Sequence, residues 1–442
     1  MAEQTNLPLP DSCDVLVVGG GPAGATAAND LALAGVNVVL LDREGRIKPC
    51  GGAIPPQALV DFDLPRDLLD AEVGSARMIS PVGRGVDMPI DNDGYVGMVD
   101  RATFDEWLRA RAATSGATRL AGSFTGMGDS DGERVAVRYT LKGEREERTL
   151  KAAYVIGADG ANSRVGKAAV PGSELRKHVL AYHEIVEAPV AAAGGADAAN
   201  DPGTGPGIGA SIDPDTDPRR CDVIYDGSLS PDFYSWVFPH GKVISIGTGT
   251  AIKGYSMRGS VTELRRRTGL EHARTIRCEG APIPLKPLRR WDDGRHVVLC
   301  GDAAGVVAPA SGEGIFYAMA CGRMVATTVH EALDGAGAAH LKRARKRFLK
   351  SYGTVFLVLG IMQRFWYSSD KRRERFVTMC EDKDVQRLTW ESYLHKKLVK
   401  KDPMAHLRIF LKDTAHLFGI IPAGEKDAAK KKVAADASRG NG

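Results

Sequence analysis

The chain contains no CxxC pair, no HExxH, no Walker-type phosphate loop and no internal repeat. Its seven cysteines, Cys13, Cys50, Cys221, Cys278, Cys300, Cys321 and Cys380, are odd in number and scattered. That excludes a disulfide framework and a cysteine metal site, no other metal-ligand cluster stands out, and a reduced, intracellular setting follows. Nor is there a run of about 18 apolar residues, the length a bilayer demands. The longest, Val355 to Met362, is far shorter. The N-terminus, MAEQTNLPLPDSCD, lacks the basic-then-apolar order of a secretion signal. The expectation is a cytoplasmic protein, free or peripheral on a membrane it does not cross.

What the chain does have is enough apolar residue, 43% of 442, for two or three packed domains. Residues 14–18 form an apolar run of strand type that breaks into Gly19-Gly20-Gly21-Pro22-Ala23-Gly24. A helical pattern closes at Gly35, and Val36 to Leu41 is a second buried strand ending at Asp42. This is a βαβ unit, the start of a doubly wound sheet. In Gly19-x-Gly21-x-x-Gly24 the glycines permit a tight turn, close approach to a pyrophosphate and close helix–strand packing. The amides at the helix start attract phosphate, and Asp42 stands where a carboxylate accepts from an adenosine ribose. A nucleotide site is therefore expected at Gly19, Gly21, Pro22, Ala23, Gly24, Asp42 and the adjoining Arg43.

Further along, Val135 to Thr140 and Arg148 to Ile156 alternate like antiparallel strands. Residues 222–250 read as strands, Val297 to Cys300 as a buried strand, and about 311–417 as helices. Residues 191–218, rich in Ala, Gly, Pro and Asp, read as a flexible surface loop, and Gly128-Asp129-Ser130-Asp131-Gly132 as a hairpin turn. Charge is uneven. From His340 to Asp413 nineteen Lys and Arg face eight Asp and Glu, a surplus of eleven on a chain of net charge +4, which leaves the rest at −7. A basic module of this kind attracts anionic lipid or nucleic acid. No nucleic-acid motif accompanies it, and a membrane surface is preferred as partner.

Three motifs carry a resemblance. Val155-Ile156-Gly157-Ala158-Asp159-Gly160 resembles the Asp-Gly motif of flavoprotein hydroxylases, Gly301-Asp302-Ala303-Ala304 their Gly-Asp motif, and Arg101 in Asp100-Arg101-Ala102-Thr103-Phe104 their cofactor arginine. The resemblance implies FAD, with Arg101, Asp159, Gly160, Gly301 and Asp302 contacting it. Lys48-Pro49-Cys50-Gly51-Gly52, Tyr234-x-Trp236-x-Phe238-Pro239, Ile283-Pro284-Leu285-Lys286-Pro287 and Ala308-Pro309-Ala310-Ser311-Gly312-Glu313-Gly314-Ile315 are similar to the geranylgeranyl reductases, nearer the chlorophyll and bacteriochlorophyll branch than the archaeal lipid branch. The similarity runs from about Cys13 to Ile421.

That family resemblance implies a mixed α/β fold. An FAD-binding Rossmann-like domain (13–76, 100–175 and 278–340) would join an antiparallel-sheet substrate domain (77–99 and 176–277) and a basic helical region (341–423), with a flexible start (1–12) and a disordered tail (424–442). It implies reduction of a geranylgeranyl chain to phytyl, on a pigment or as the diphosphate, with NADPH as hydride donor. A docking contact with a membrane or a pigment synthase is implied as well. Cys50, Gly51, Gly52, Gly312, Gly314 and Ile315 would border the flavin.

An unactivated C=C accepts hydride only as positive charge develops on carbon, so an acid must supply a proton in a dry site. Cys50 is the first candidate donor and Tyr234 the second; Cys50 alternatively shapes its loop. Tyr234, Trp236 and Phe238, two apart on a strand, share one face and suit a prenyl-binding wall whose rings stabilise a cation, with Trp236 counted in the catalytic set. The cofactor motifs by themselves also allow an aromatic monooxygenase or halogenase, or a non-catalytic pigment carrier.

Overall fold

The computed structural model describes residues 9–45, 47–91, 94–175, 177–189 and 217–396. Ser12–Val18 lies between Val38–Asp42 and Glu147–Gly157, all parallel, with Thr118–Ser130 and Val297–Leu299 outside them. Parallel strands are covered on both faces, which is why Val15–Val18 and Val38–Leu41 are unbroken aliphatic runs, at most 4% exposed. Two strands serve twice. Residues 118–121 pair with Val38–Asp42 and 122–130 with Val135–Leu141, while Glu147–Gly157 pairs first with Val135–Leu141 and then with Ser12–Val18. Gly128 to Ser130, expected in a turn, lie in strand; the turn is one step later, where Asp131 Oδ1 accepts from the amides of Glu133 and Arg134.

Helix Pro22–Leu33 crosses helix Ile315–Glu331 through residues small enough for backbone contact. A Cβ on Gly322 would stand 2.3 Å from the Ala23 carbonyl oxygen. Arg101–Thr114 packs beside Pro22–Leu33 and is capped by Asp100, whose Oδ1 accepts from the Ala102 amide at 2.7 Å.

The second unit is a seven-stranded sheet in the order Thr275–Pro284, His178–Glu187, Val243–Thr250, Ser235–His240, Arg220–Ile224, Ser75–Ile79, Gly85–Pro89. Every neighbouring pair is antiparallel except Arg220–Ile224 with Ser75–Ile79. Two expected boundaries therefore cut strands. The sheet begins at Ser75 rather than 77, and it runs to Pro284 rather than stopping before 278. Ala53–Ile54, Val96–Met98 and Ala71–Val73 form a small third sheet between the units. Helices Arg343–Trp366, Asp370–Met379 and Lys383–His395 follow. The expected loop 191–218, except its last two residues, lies outside the described residues, as do the tail from 424 and residues 1–8.

Gly322→Ala is expected to force the crossing helices apart and lower the unfolding free energy by about 1–3 kcal/mol. Gly353→Ala, mid-helix with its nearest neighbour atom at 3.5 Å, is expected to hold or gain stability. Thermal melting of both variants tests this; a Gly322→Ala protein that melts with the wild type would contradict it.

Candidate functional site

The glycine crook gathers the carboxyl ends of the parallel strands. Gly19 (φ +105°) donates its amide to the Leu41 carbonyl at 2.8 Å, and a Cβ there would stand 2.4 Å from the Ala158 carbonyl oxygen. A Cβ on Gly24 would meet the Gly19 oxygen at 1.9 Å. Gly21, the cap residue of Pro22–Leu33, has nothing within 4 Å of where its side chain would be. Bare amides at a helix start facing open space are what a pyrophosphate requires, so these residues fit the diphosphate of FAD. Asp42 accepts from the Gly20 amide (2.9 Å) and from Arg109 (3.3 Å); Arg43 is exposed past the strand end.

The two later motifs come to the same end of the sheet. The Asp159 carboxylate accepts from Ser163 Oγ (2.5 Å) and from the Arg164 and Val165 amides (2.6 and 3.2 Å). It anchors helix Arg164–Ala169, and the open part of the motif is the bare backbone of Gly160 (φ +86°). Gly301 (φ +61°) brings the Gly-Asp turn against Ala23, and the buried Asp302 forms an ion pair with Lys48.

That lysine starts the Cys50 loop. Gly51 packs on the Phe238 ring, 3.2 Å from a Cβ placed on it, and Gly52 (φ +76°) leaves no room for one, with His240 Cε1 at 2.4 Å. His240 Nε2 donates to the Gly51 carbonyl at 3.0 Å, which fixes its tautomer. Burial drives the His240 pKa down to about 4 against the opposing pull of that carbonyl. Arg101 is buried and grips Asp105 through two bonds (2.8 and 2.7 Å). Burial works against its charge, but Asp105 and the Cys50 sulfur hold its pKa above the ordinary arginine range. Lys48, Cys50, Asp100, Arg101, His240, Arg277 and Glu279 are among the residues lining a cavity of about 190 Å³ between the loop and the large sheet.

The aromatic residues form a wall over this loop. Tyr234 immediately precedes Ser235–His240; its ring is 6.0 Å from Trp236, edge to face, and Trp236 is 6.3 Å from Phe238. Trp236 lies across its cross-strand partner Gly247, where a Cβ would meet the indole at 2.3 Å. Trp236 Nε1 donates to Ser245 Oγ (3.2 Å), which contacts His183 Nδ1 (2.9 Å), and His183 Nε2 contacts Glu279 Oε2 (3.0 Å). Tyr234 donates its hydroxyl to the Ser311 carbonyl at 2.5 Å, and Gly312 (φ +66°) sits against Tyr234 and Phe233. Burial pushes the Tyr234 phenol upward, so its proton is held, not offered. Gly314 caps Ile315–Glu331 without a side-chain bond, and Ile315 is its first residue.

Several participants escaped the sequence reading. Glu313, between Gly312 and Gly314, pairs with Lys396 at 2.5 Å, both side chains under a tenth exposed. The Lys396 ammonium stands 3.9 Å from the Tyr393 ring centre, and Glu313 Oε1 has no hydrogen-bond partner among the described residues. Burial raises the Glu313 carboxyl and lowers the Lys396 ammonium while the pair opposes both shifts. Arg277 and Glu279 also escaped the sequence reading. The only available signal for Glu313 was its place between two glycines; its partner is 83 residues away.

Residues 13–195 match the family model "Pyridine nucleotide-disulphide oxidoreductase". The chain is 53% identical to a geranylgeranyl diphosphate reductase of Rhodobacter capsulatus over 92% of its own length and 98% of that protein. It is 37% identical to the chloroplastic geranylgeranyl diphosphate reductase of Nicotiana tabacum over 89% and 83%. Its fold matches the crystal structure of a geranylgeranyl bacteriochlorophyll reductase-like protein from Thermoplasma acidophilum, with a TM-score of 0.74, 22% identity, and coverage of 90% and 100%.

Two outcomes are expected. Lys396→Met leaves Glu313 buried without its counter-charge and costs about 3–5 kcal/mol in denaturant unfolding, most of which Glu313→Gln restores in the double variant; simple additivity would refute the pairing. Because the folded protein resists protonating His240, the unfolded chain binds the extra proton between pH 6.5 and about 4, and stability falls as pH drops through that window. His240→Gln should flatten the slope of melting temperature against pH there; an unchanged slope would remove the assignment.

Proposed function

The chain belongs to the geranylgeranyl reductase family, and on that premise we propose that it hydrogenates C=C bonds of a geranylgeranyl chain, carried as the diphosphate or on a chlorophyll-type pigment, with FAD as cofactor and NADPH as hydride donor. The observation that carries the reading is the contact between the wall and the loop. The Phe238 ring stands 3.2 Å from where a Cβ on Gly51 would lie, beside Cys50, so an isoprenoid lying along Tyr234, Trp236 and Phe238 would end at the Cys50 loop.

Bound reduced FAD supplies a hydride; the remaining tasks fall to side chains. Gly21 and the start of Pro22–Leu33 would hold the diphosphate, and Asp302, paired with Lys48, would take the ribityl hydroxyls. Cys50 is assigned as proton donor to the alkene, because the Tyr234 hydroxyl is tied to Ser311. Arg101, which lies beside the Cys50 sulfur, would stabilise the thiolate left behind. Trp236, held flat by Gly247 and Ser245, offers its face to the carbon that becomes positive. Phe233, Tyr234 and Trp236 keep water from capturing that cation. NADPH rests on the family resemblance, since the sequence holds no second GxGxxG unit. The basic C-terminal region is assigned to a membrane surface, where so apolar a substrate resides.

The test is an anaerobic incubation of flavin-loaded protein and NADPH with geranylgeranyl diphosphate and with a geranylgeranyl pigment ester, read by mass. Products heavier by successive pairs of hydrogens are expected, and none from either substrate would refute the proposal. Cys50→Ala should keep its flavin spectrum and slow alkene reduction by about 10²-fold or more. Trp236→Leu should slow it about tenfold. Turnover by Cys50→Ala at the wild-type rate would remove the thiol from the proton step.

A further inference from the structure

Helix Arg343–Trp366 has two unlike sides. Phe348, Phe356 and Trp366 are buried, whereas Leu357 is 64%, Ile361 60% and Val358 40% exposed. At 100° per residue these three share a side with Arg343, Lys346, Lys350 and Arg364, all of them exposed. The helix carries six Arg and Lys and no Asp or Glu. None of those four exposed cations has an ion-pair partner among the described residues, although the protein elsewhere pairs its arginines freely. The result is a stripe that is basic at its start, aliphatic in the middle and basic again at Arg364, followed by exposed Lys371 and Arg372.

A solvated helix surface has no use for three neighbouring aliphatic side chains, and a protein–protein contact would not require a stripe purged of acid. An anionic bilayer surface requires both. Aliphatic side chains enter the acyl boundary, and Lys and Arg reach the phosphates from either end. Among the described residues no helix is long and apolar enough to cross a membrane. Behind the face lies the Pro309–Gly314 loop. Gly360 approaches Pro309, a Cβ placed on it standing 3.9 Å from the proline ring, and Gln363 Oε1 accepts from the Ala310 amide at 3.5 Å.

We propose that the Leu357, Val358 and Ile361 face of helix Arg343–Trp366 is the protein's docking surface for an anionic lipid bilayer, seated so that the helix lies between the lipid and the Pro309–Gly314 loop. This deepens the membrane contact assigned above, and its function there, delivery of a prenyl substrate, rests on the proposed reaction; the lipid contact itself is measured without turnover.

The test uses the full, flavin-loaded chain and flotation with vesicles of phosphatidylcholine alone or mixed with phosphatidylglycerol. Wild-type protein is expected to float with the mixed vesicles, to leave them in high salt, and to ignore the neutral ones. The double change Leu357→Ser, Ile361→Ser should lower the bound fraction at least tenfold. Lys346→Ala and Lys350→Ala should each lower it about fivefold. Binding indifferent to phosphatidylglycerol, or undiminished in the serine double variant, overturns the proposal. So does a wild-type dimer that the serine changes convert to monomer with no vesicle binding by either, which would give the face to a second copy. Reduction of soluble geranylgeranyl diphosphate, run in parallel without vesicles, should be equal in wild type and the serine variant. Its absence from both, with flotation intact, counts against the reaction and leaves the docking face standing.

Discussion

One row of polar side chains joins the two halves of the site, and the geometry of both depends on it. It starts at the Trp236 indole and passes through Ser245, His183 and Glu279 to Arg277, which pairs with Glu279 at 3.1 Å and donates to Asp100 Oδ2 at 2.8 Å. An indole can only donate and a carboxylate only accept. His183 therefore gives its Nε2–H to Glu279, and its Nδ1 meets the Ser245 hydroxyl. At the far end Asp100 caps the helix whose first residue is Arg101, the cation beside Cys50. Burial works against the Asp100 charge, but Arg277 and the helix amides hold its carboxyl below the usual range. The Trp236 ring and the Arg101 guanidinium are thus held in one register by charge-assisted bonds across the seam.

The same seam explains what could and could not be read from the sequence. Val15–Val18 and Val38–Leu41 are legible because a strand covered on both faces must be aliphatic throughout, and the glycines between them have one conformational purpose. Thr275–Pro284 was cut in the middle because most of it is half-exposed and carries Arg277, Cys278 and Glu279, which look like loop. It is a strand because His178–Glu187 lies beside it, about a hundred residues earlier. The parallel pairing of Ser75–Ile79 with Arg220–Ile224 is equally remote and leaves no local trace.

Within the site, residue types were legible and their partners were not. The alternation of Tyr234, Trp236 and Phe238 announces a shared face, and the rings do touch in sequence order. That Tyr234 is bound to Ser311, that the Asp159 carboxylate serves its own helix, and that Glu313 meets Lys396 all depend on contacts made only after folding. Motif strings locate backbone well; a side chain's obligations come from whatever the fold brings beside it.

Ala310 shows where such an obligation leads. Its φ of +63° is a conformation alanine avoids, at a cost of about 1–2 kcal/mol, so something must impose it. Tyr367 donates to its carbonyl at 3.1 Å and Gln363 accepts from its amide, both from the C-terminal helical region. The strained turn before Gly312 is therefore kept in shape by a part of the chain that carries none of the glycine motifs. A protein shortened before Gln363 would be free to relax that turn to ordinary backbone, and the C-terminal helices act as a splint on the Ala310 turn rather than an appendage to it.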